Sequence, residues 1–374
     1  MDQLIFFSTA AVGFGYISLL FWIMKGWDDT DEWSVPEDYV PATRISVIVA
    51  ARNEDRHIRS CVNSILELNY PTHLLEVLVV DDHSTDNTAQ ILGSISDPRL
   101  TIVTLTDTRG KKAALSEAIS RASGQLIACT DADCVVPSDW LRYMASYYEI
   151  NSPRLIAGPI VYSTDRSVLQ RFQYLDGVGN MAITAAGIHH QAYYMANGAN
   201  IVYEKTLFEE LGGYSDDTFA SGDDMMLIQK AAKSQPSRIR YLKQQAAAIT
   251  TAPVLTVADL VTQRKRWASK SKNYEDKGII KVQAYVFFVI VCLLANILLI
   301  PFTNGLSLFS FMFLLFMKWG MDFLFLHKMA EYFGTTKPLK SFFTASVWFI
   351  IYIVWAAYSA LRPTAYRWKD RDVK

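Results

Sequence analysis

Long apolar segments at both ends of the chain constrain its fold more than any other feature. Residues 4–24 contain no charged side chain and are long enough to cross a bilayer core of about 30 Å. Further apolar segments occupy residues 282–302, 306–326 and 342–361. No basic residue precedes the first segment, and it is longer than the apolar part of a cleaved signal peptide, so we expect a retained anchor. The sequence therefore predicts an integral membrane protein.

Two ionisable residues interrupt the third apolar segment. Lys318 and Asp322 are four residues apart, so on a helix they share one face and can form an ion pair. A charged pair at membrane depth normally faces protein rather than lipid. We therefore expect this face of the helix to pack against another part of the chain.

The distribution of basic residues predicts the orientation in the membrane. Lys25 follows the first segment and several lysines precede the second, whereas the turn at 303–305 is uncharged. The part between these segments is therefore expected in the cytoplasm, at the inner membrane if the chain is bacterial. A crossing by 342–361 conflicts with this rule, because basic residues flank it on both sides. Either the tail lies outside, or a C-terminal segment is re-entrant or lies at the interface. The flanking residues are Lys328, Lys337, Lys340, Arg362, Arg367, Lys369, Arg371 and Lys374.

The part between the apolar segments alternates predicted strands and helices. The whole chain has 374 residues and a net charge of −1, which gives no electrostatic indication of a nucleic-acid partner. Its four cysteines form no C-x-x-C pair, so neither a disulfide scaffold nor a zinc site is indicated. Strands separated by helices of this length predict a parallel α/β sheet. The predicted strands are 46–50, 76–80, 100–105 and 125–130, and the helices are 54–68, 86–92 and 112–122.

Polar clusters follow three of these strands, at the sheet edge where ligands of α/β proteins bind. They are residues 51–54, 81–86 and 131–133. Asp131 and Asp133 are two apart, so in an extended chain both carboxylates leave on the same side. Mg²⁺ or Mn²⁺, with substrate phosphates completing its shell, suits such a pair, although a solvated turn is the simpler alternative. No dinucleotide or P-loop glycine pattern is present.

Two later stretches add candidate residues. Asp223 and Asp224 begin a predicted helix, where a carboxylate either stabilises the helix end or acts as a general base. On the helix that leads to the membrane, Gln263, Arg266 and Trp267 share one face by their offsets of three and four. Arg264 and Lys265 point elsewhere and are expected near lipid head groups. The alternative interpretation is that the basic residues of 263–267 only flank the membrane segment that follows.

Together these stretches resemble the membrane-bound family 2 glycosyltransferases, which have the GT-A fold. The stretches are VIVAARNE, VVDDHSTDNT, RGKKAAL, TDADC, NGAN, GDDMML and QRKRW, in that order. The resemblance implies a GT-A nucleotide-diphospho-sugar transferase domain with a Rossmann-like mixed, mostly parallel sheet, framed by N- and C-terminal transmembrane helices. The expected divisions are an anchor (1–25), a linker (26–43), the catalytic domain (44–252), an amphipathic interfacial helix region (253–281) and a membrane region (282–374).

The resemblance also implies a role for each matched residue. It implies a metal-dependent, inverting transfer from a UDP-sugar to the hydroxyl of a membrane-associated, lipid acceptor, with Asp224 as the base. Asp131 and Asp133 are the implied ligands of Mg²⁺ or Mn²⁺. The implied donor-binding residues are Ala50, Glu54, Asp81, Asp82, Lys111, Lys112, Asp131 and Arg266. The implied acceptor-side residues are Asp223, Gln263, Trp267 and Asn200.

The sequence departs from the family pattern in three respects. His83 stands where glycine is common, and Asp223 replaces the usual glutamate. The membrane part is small beside that of processive polysaccharide synthases of the same family, so a single transfer is expected and processive synthesis is the alternative. Outside the family, a haloacid-dehalogenase-like phosphatase would use D-x-D-x-[TV] at 131–135, and a binding protein without activity would keep only the nucleotide-sugar site.

Overall fold

The structure is a computed structural model, and it describes residues 2–163, 167–214, 223–271, 276–360, 366–368 and 371–373. Helix α1 (Asp2–Asp28) leads into the α/β domain. The first half of that domain alternates strands and helices as predicted. Its elements are β1 (Ile45–Ala51), α2 (Ile58–Leu66), β2 (Leu75–Asp81), α3 (Thr88–Gly93), β3 (Leu100–Thr104), α4 (Lys111–Arg121) and β4 (Leu126–Asp131).

The second half of the domain adds short strands and three longer helices. Its elements are β5 (Cys134–Val135), α5 (Trp140–Asn151), β6 (Leu155–Ala157), β7 (Ile160–Tyr162), α6 (Val168–His189), β8 (Ile201–Glu204), α7 (Lys205–Glu210), α8 (Asp223–Ser234), β9 (Ile239–Tyr241), β10 (Ile249–Thr251) and α9 (Val257–Ser271). The C-terminal part consists of α10 (Lys277–Leu299), α11 (Leu306–Tyr332), α12 (Phe342–Ala360), β11 (Tyr366–Trp368) and β12 (Arg371–Val373).

The central sheet is mixed but mostly parallel, as the resemblance implies. Its described strands run in the order β3-β2-β1-β4-β8-β6-β9, and β8 is antiparallel to both of its neighbours. Val47, Ile48 and Val49 in β1 are fully buried because helices or other strands cover both faces. A smaller sheet, β5-β10-β7, lies beside it. The predicted α/β fold class with apolar helices at both termini is confirmed.

Helix α6 lies between the central sheet and the membrane helices, and the sequence patterns did not predict it. It begins at a capping box, in which Ser167 accepts the backbone N–H of Gln170 and the Gln170 side chain accepts that of Ser167. Most of its residues are buried, on all sides of the helix. A Cβ atom on Gly26 of α1 would lie 2.8 Å from the Cβ atom of Ala186, so the small residues allow the two helices to approach closely.

Four helical stretches are long and apolar enough to cross a membrane in the described part: 3–28, 277–302, 306–332 and 337–358. Helices α1, α10 and α11 pack together. The predicted ion pair is present, with Lys318 Nζ 2.5 Å from Asp322 Oδ2 and Lys318 buried against Tyr16 and Phe349. This face of α11 therefore points to protein, as expected.

Candidate active site

The ends of three neighbouring strands meet at one edge of the central sheet. Ala50 in β1 lies beside Val80 in β2 and beside Asp131 in β4, and Ala51 lies beside Asp81. The polar clusters that follow these strands are therefore adjacent, as the parallel arrangement predicts. The edge is the entrance to a large cavity.

A continuous cavity of about 1040 Å³ extends from this edge to the membrane helices. The predicted site residues that line it are Lys111, Asp131, Asp133, Asp224, Gln263, Arg266 and Trp267. Its other end is lined by apolar side chains of α1, α10, α11 and α12, among them Leu20, Val286, Phe325 and Phe349. A charged sheet edge and a mostly apolar space between membrane helices, which the Lys318–Asp322 pair also lines, thus share one cavity.

Lys111 and Lys112 take different positions. Lys111 lines the cavity and its Nζ lies 2.7 Å from Asp131 Oδ1. Lys112 Nζ is instead 3.7 Å from the sulfur of Met226, outside the cavity lining. Helix α4 begins after Gly110, whose φ of 102° turns the chain at the cavity wall and whose N–H donates to Asp82.

The remaining donor-side candidates shape the loops behind the cavity. Asp81 and Asp82 are buried; Asp81 accepts both the backbone N–H and the hydroxyl of Ser84, and Asp82 lies 3.1 Å from His83 Nδ1. Ala50, Glu54, Asp81 and Asp82 are absent from the cavity lining. Their contact with a nucleotide stays a prediction.

His83 occupies a backbone position that explains the glycine common in the family. Its φ is 55°, in the left-handed region that residues with a Cβ atom rarely adopt. The Arg52 guanidinium donates to the carbonyl oxygens of Asp82 and His83 at 2.7 Å each, and these bonds hold the strained turn.

The donor atoms around Asp131 and Asp133 suit a hard divalent cation. No group of three or more His, Cys, Asp or Glu side chains that could hold a metal occurs in the described part of the chain, so the shell would need oxygens from the substrate. Burial, and then the charges of Asp133 and Asp131, raise the pKa of the nearby Cys61 and Cys134 thiols. These cysteines stay neutral and offer no thiolate, which leaves an all-oxygen site that fits Mg²⁺ or Mn²⁺.

Asp224 is fixed at the start of α8 by backbone donors. Its Oδ2 accepts the N–H of Gly198 at 2.8 Å, and its Oδ1 accepts the N–H of Met225 at 2.8 Å. The carboxylate is partly buried and lines the cavity, a position from which a general base could reach a hydroxyl. Asp223 is the first residue of α8, but its side chain and the preceding Gly222 lie outside the described residues.

The side chain of Arg264 on α9 does not point in the expected direction. It is 3% exposed and lines the cavity instead of pointing to lipid head groups. Arg264 Nη1 lies 2.7 Å from Asp176 Oδ2 in α6, and its guanidinium lies over the rings of Trp267 and Tyr352. Burial is the largest single effect and lowers the pKa of Arg264, but the charge and hydrogen bond of Asp176 together with Tyr352 and Tyr162 raise this pKa above its ordinary value. No local pattern in the sequence identifies Asp176 as its partner.

Asp176→Asn is expected to lower the free energy of unfolding by about 3–5 kcal/mol, because the buried Arg264 charge loses its counter-ion. Thermal unfolding of the purified protein in detergent would show this as a lower Tm. The double variant Asp176→Asn/Arg264→Met has no buried charge at this position, so much of the lost free energy of unfolding should be recovered. An unchanged Tm for the single variant would contradict the importance of this pair.

Asn200 lies elsewhere than expected for an acceptor-side residue. It is fully buried, its Nδ2 donates to the carbonyl oxygens of Pro159 and Ala247, and its Oδ1 accepts Trp140 Nε1–H at 2.9 Å. These bonds join β8 to the loops beside it. Asn197 and Ala199, rather than Asn200, line the cavity.

Comparison with known proteins identifies the domain. Residues 46–212, which include the strands β1 to β4 and both Asp131 and Asp133, match the family described as Glycosyl transferase family 2. The chain carries a family 2 glycosyltransferase domain. The phosphatase alternative is therefore wrong. The other candidate site residues, Asp224 and those of α9, lie beyond the matched range.

Two curated relatives differ in what their names describe. The chain is 36% identical over 113 residues to β-monoglucosyldiacylglycerol synthase of a Synechocystis species, covering 29% of this chain and 24% of that protein. It is 27% identical over 246 residues to poly-β-1,6-N-acetyl-D-glucosamine synthase of Staphylococcus epidermidis, covering 63% of this chain and 56% of the relative. This chain thus aligns with only about a quarter to a little over half of the length of these relatives.

A solved structure extends the likeness over almost the whole chain. The mannosyltransferase PcManGT from Pyrobaculum calidifontis, in complex with GDP-Man and Mn²⁺, matches with a TM-score of 0.57 and 21% identity. The match covers 96% of this chain and 99% of that one. At this identity the likeness shows a shared fold.

Proposed function

We propose that the protein is an inverting glycosyltransferase that moves a sugar from a UDP-sugar to the hydroxyl of a lipid acceptor. The observation that carries this proposal is the single cavity that joins Asp131 and Asp133 to apolar side chains of the membrane helices. A nucleotide-sugar fits the charged end, and a lipid fits the apolar end. The relative named for glucosyldiacylglycerol synthesis supports a glycolipid product, and the Mn²⁺ in the structure of PcManGT supports a divalent metal.

The residues of the cavity have complementary roles in this reaction. Asp224 takes the proton of the acceptor hydroxyl while its oxygen forms a bond to the anomeric carbon, and the bond from that carbon to the UDP oxygen breaks. One displacement inverts the configuration. Lys111 and Arg266 offset negative charge on the departing diphosphate. Mg²⁺ or Mn²⁺ held by Asp131 and Asp133 would act as a Lewis acid on the diphosphate oxygens.

UDP release by the full-length protein in nanodiscs tests this function. UDP-glucose, UDP-galactose, UDP-N-acetylglucosamine and GDP-mannose are supplied separately with Mn²⁺, with Mg²⁺ or with EDTA, and the lipids are analysed by mass spectrometry. We expect metal-dependent release of UDP together with a lipid that has gained one sugar of inverted configuration. Retained configuration, or nucleotide release without a new glycolipid, would contradict the proposal.

Processive synthesis is the second candidate, because the relative from Staphylococcus epidermidis is named as a polysaccharide synthase. The length of the product distinguishes single transfer from processive synthesis. One added sugar per acceptor supports single transfer, whereas a ladder of longer products supports a synthase.

For the orientation in the membrane, we propose that the catalytic domain faces the cytoplasm, because Lys25 and the lysines before α10 flank the spans on that side.

A further inference from the structure

The Arg264 guanidinium has one buried edge without a partner. Nη1 pairs with Asp176, but Nε and Nη2 are buried and have no hydrogen-bond partner among the described residues. Gln263 Oε1, on the neighbouring residue, is buried without a partner as well. Unsatisfied polar atoms of this kind are rare in native proteins because each one has lost its water without gaining another bond. Both residues line the cavity, so a ligand in the cavity is the partner that we consider for these atoms.

The geometry of the free edge indicates the chemical class of the ligand. In the planar guanidinium, Nε–H and one N–H of Nη2 point in the same direction. Two parallel donors match two oxygens of one phosphate or carboxylate, and such bidentate bonds are the strong form of arginine recognition. Asp176 already lies on the opposite side of the group at Nη1, so the free edge has the charge and shape to take one oxyanion.

The surroundings of Arg264 favour the acceptor over the donor as the source of that oxyanion. Besides Trp267 on its own helix, it contacts Asp176 on α6 and Tyr352 on α12, two helices that border the membrane part. The donor diphosphate is expected instead near Asp131, Lys111 and Arg266. We propose that the Nε–Nη2 edge of Arg264 binds the phosphate of a phosphorylated lipid acceptor. This inference rests on the proposed function, which it narrows to acceptors with a phosphate near the reacting hydroxyl.

Binding measurements on the full-length protein test the site without requiring turnover. Arg264→Lys keeps the positive charge beside Asp176 but lacks the parallel N–H pair. Isothermal titration in detergent would compare dioctanoyl phosphatidic acid, dioctanoyl glycerol and UDP with Mn²⁺. We expect the wild type to prefer phosphatidic acid to the glycerol lipid, and the variant to lose about tenfold in affinity for phosphatidic acid only. Lys265→Arg serves as the control for a basic substitution on the same helix.

Several outcomes would overturn the proposal. A loss of UDP binding in Arg264→Lys would assign the edge to the donor, and equal binding of both lipids by the wild type would exclude a phosphate site. If both Arg264→Lys and Asp176→Asn/Arg264→Met bind phosphatidic acid as the wild type does, Arg264 has only a structural role in holding the helices together. If phosphatidic acid binds through Arg264 but no glycolipid forms with any donor, the proposed function is wrong while the phosphate-binding site at Arg264 is still supported.

Helix α12 supports a second inference, because its start contacts α6 and its later part contacts α9. Ser341, just before the helix, accepts a hydrogen bond from Arg171 in α6 at 3.1 Å. Towards the other end, Tyr352 lies 5.3 Å from Arg264 and Trp355 lies 5.9 Å from Lys265. The strand β11 that follows again lies beside α9. A helix of this length would span about 28 Å, so if it crossed the bilayer only one end could stay near the domain.

The exposed face of α12 is mostly apolar between Phe343 and Tyr358. Its outward side chains recur every three or four residues and form one stripe: Phe343, Val347, Ile351, Val354 and Tyr358. Side chains on other faces of the helix, such as Phe349 and Ala356, line the cavity. We infer that α12 lies in the membrane plane, with this stripe in the hydrocarbon of the leaflet next to the catalytic domain, and that the C-terminus stays on that side. The basic residues on both sides of 342–361 are then no longer in conflict.

Cysteine labelling of sealed membrane vesicles tests this topology. A membrane-impermeant maleimide is applied to vesicles of known orientation that contain Ser120→Cys in the catalytic domain, Asn304→Cys in the turn before α11, or a cysteine appended after Lys374. The wild type is the blank, since its described cysteines are buried or partly buried. We expect the appended cysteine to be labelled from the same side of the membrane as Ser120→Cys and from the side opposite to Asn304→Cys. Labelling together with Asn304→Cys would show that α12 crosses the membrane and overturn the inference.

Discussion

Asp224→Asn is expected to lower the rate of sugar transfer by about 10²–10⁴-fold, because asparagine cannot take the proton of the acceptor hydroxyl. The amide oxygen can still accept the N–H groups of Gly198 and Met225 that hold the wild-type carboxylate, so the start of α8 should remain in place. Single-turnover transfer from a radiolabelled UDP-sugar in nanodiscs measures the rate, and isothermal titration of UDP with Mn²⁺ measures donor binding.

The matched control is Asp259→Asn, which alters an exposed carboxylate bonded to Thr256 in the first turn of α9. It should leave transfer within about twofold of the wild type, as expected for a surface substitution. If Asp224→Asn abolishes UDP binding as well, the residue serves the metal or the nucleotide. Full activity in that variant would remove Asp224 from the mechanism.

Asp133→Asn is expected to reduce transfer at least a hundredfold and to weaken the activation by Mn²⁺. A metal ion contributes several kcal/mol of charge stabilisation in such reactions, and each 1.36 kcal/mol corresponds to about tenfold in rate. The amide provides one neutral oxygen where the carboxylate provided a charged one, so the cation loses part of its binding energy. Rates measured over a range of Mn²⁺ concentrations should show a higher concentration for half-maximal activity.

Asp139→Asn provides the comparison for this variant. Asp139 is a carboxylate close by in the sequence that bonds to Asn69 Nδ2 outside the cavity lining. Its metal dependence should match that of the wild type. A normal Mn²⁺ response in Asp133→Asn would show that Asp133 is not a metal ligand, and activity that persists in EDTA would remove the metal requirement altogether.

The strands and the sheet-edge clusters could be predicted because their signals are local. A continuous β-branched run forms a strand wherever both faces are covered, so the predicted strand 76–80 agrees with Leu75–Asp81 to within one residue at each end. The carboxyl ends of parallel strands then meet by geometry. For this reason Asp131 and Asp133 could be placed at one edge with residues 51–54 and 81–86 before the fold was known, whereas Lys111 is implied only by the resemblance.

The positions of Arg264 and α6 could not be predicted in the same way. The offsets along α9 show which residues share a face, but not that the cavity contacts more than one face. That property depends on α12, which is distant in the sequence and covers Arg264 with Tyr352. Helix α6 is buried on all sides, so it has no polar stripe to reveal its period, and only the capping box at Ser167 and Gln170 marks its start.

Buried contacts between α1 and the central sheet fix the position of the candidate site relative to this membrane helix. Trp27 packs against Tyr241 of β9, and Lys243 donates to the carbonyl oxygen of Trp27, so the anchor and the sheet share one core. Close-packed interfaces of this kind resist sliding. In the proposed reaction the acceptor hydroxyl has to reach the candidate site, so a rigid connection would limit how far that hydroxyl can lie from the hydrocarbon boundary. If the acceptor is a lipid, as proposed, a head group that grows with each sugar would soon extend beyond the site, and the proposed single transfer agrees with this limit.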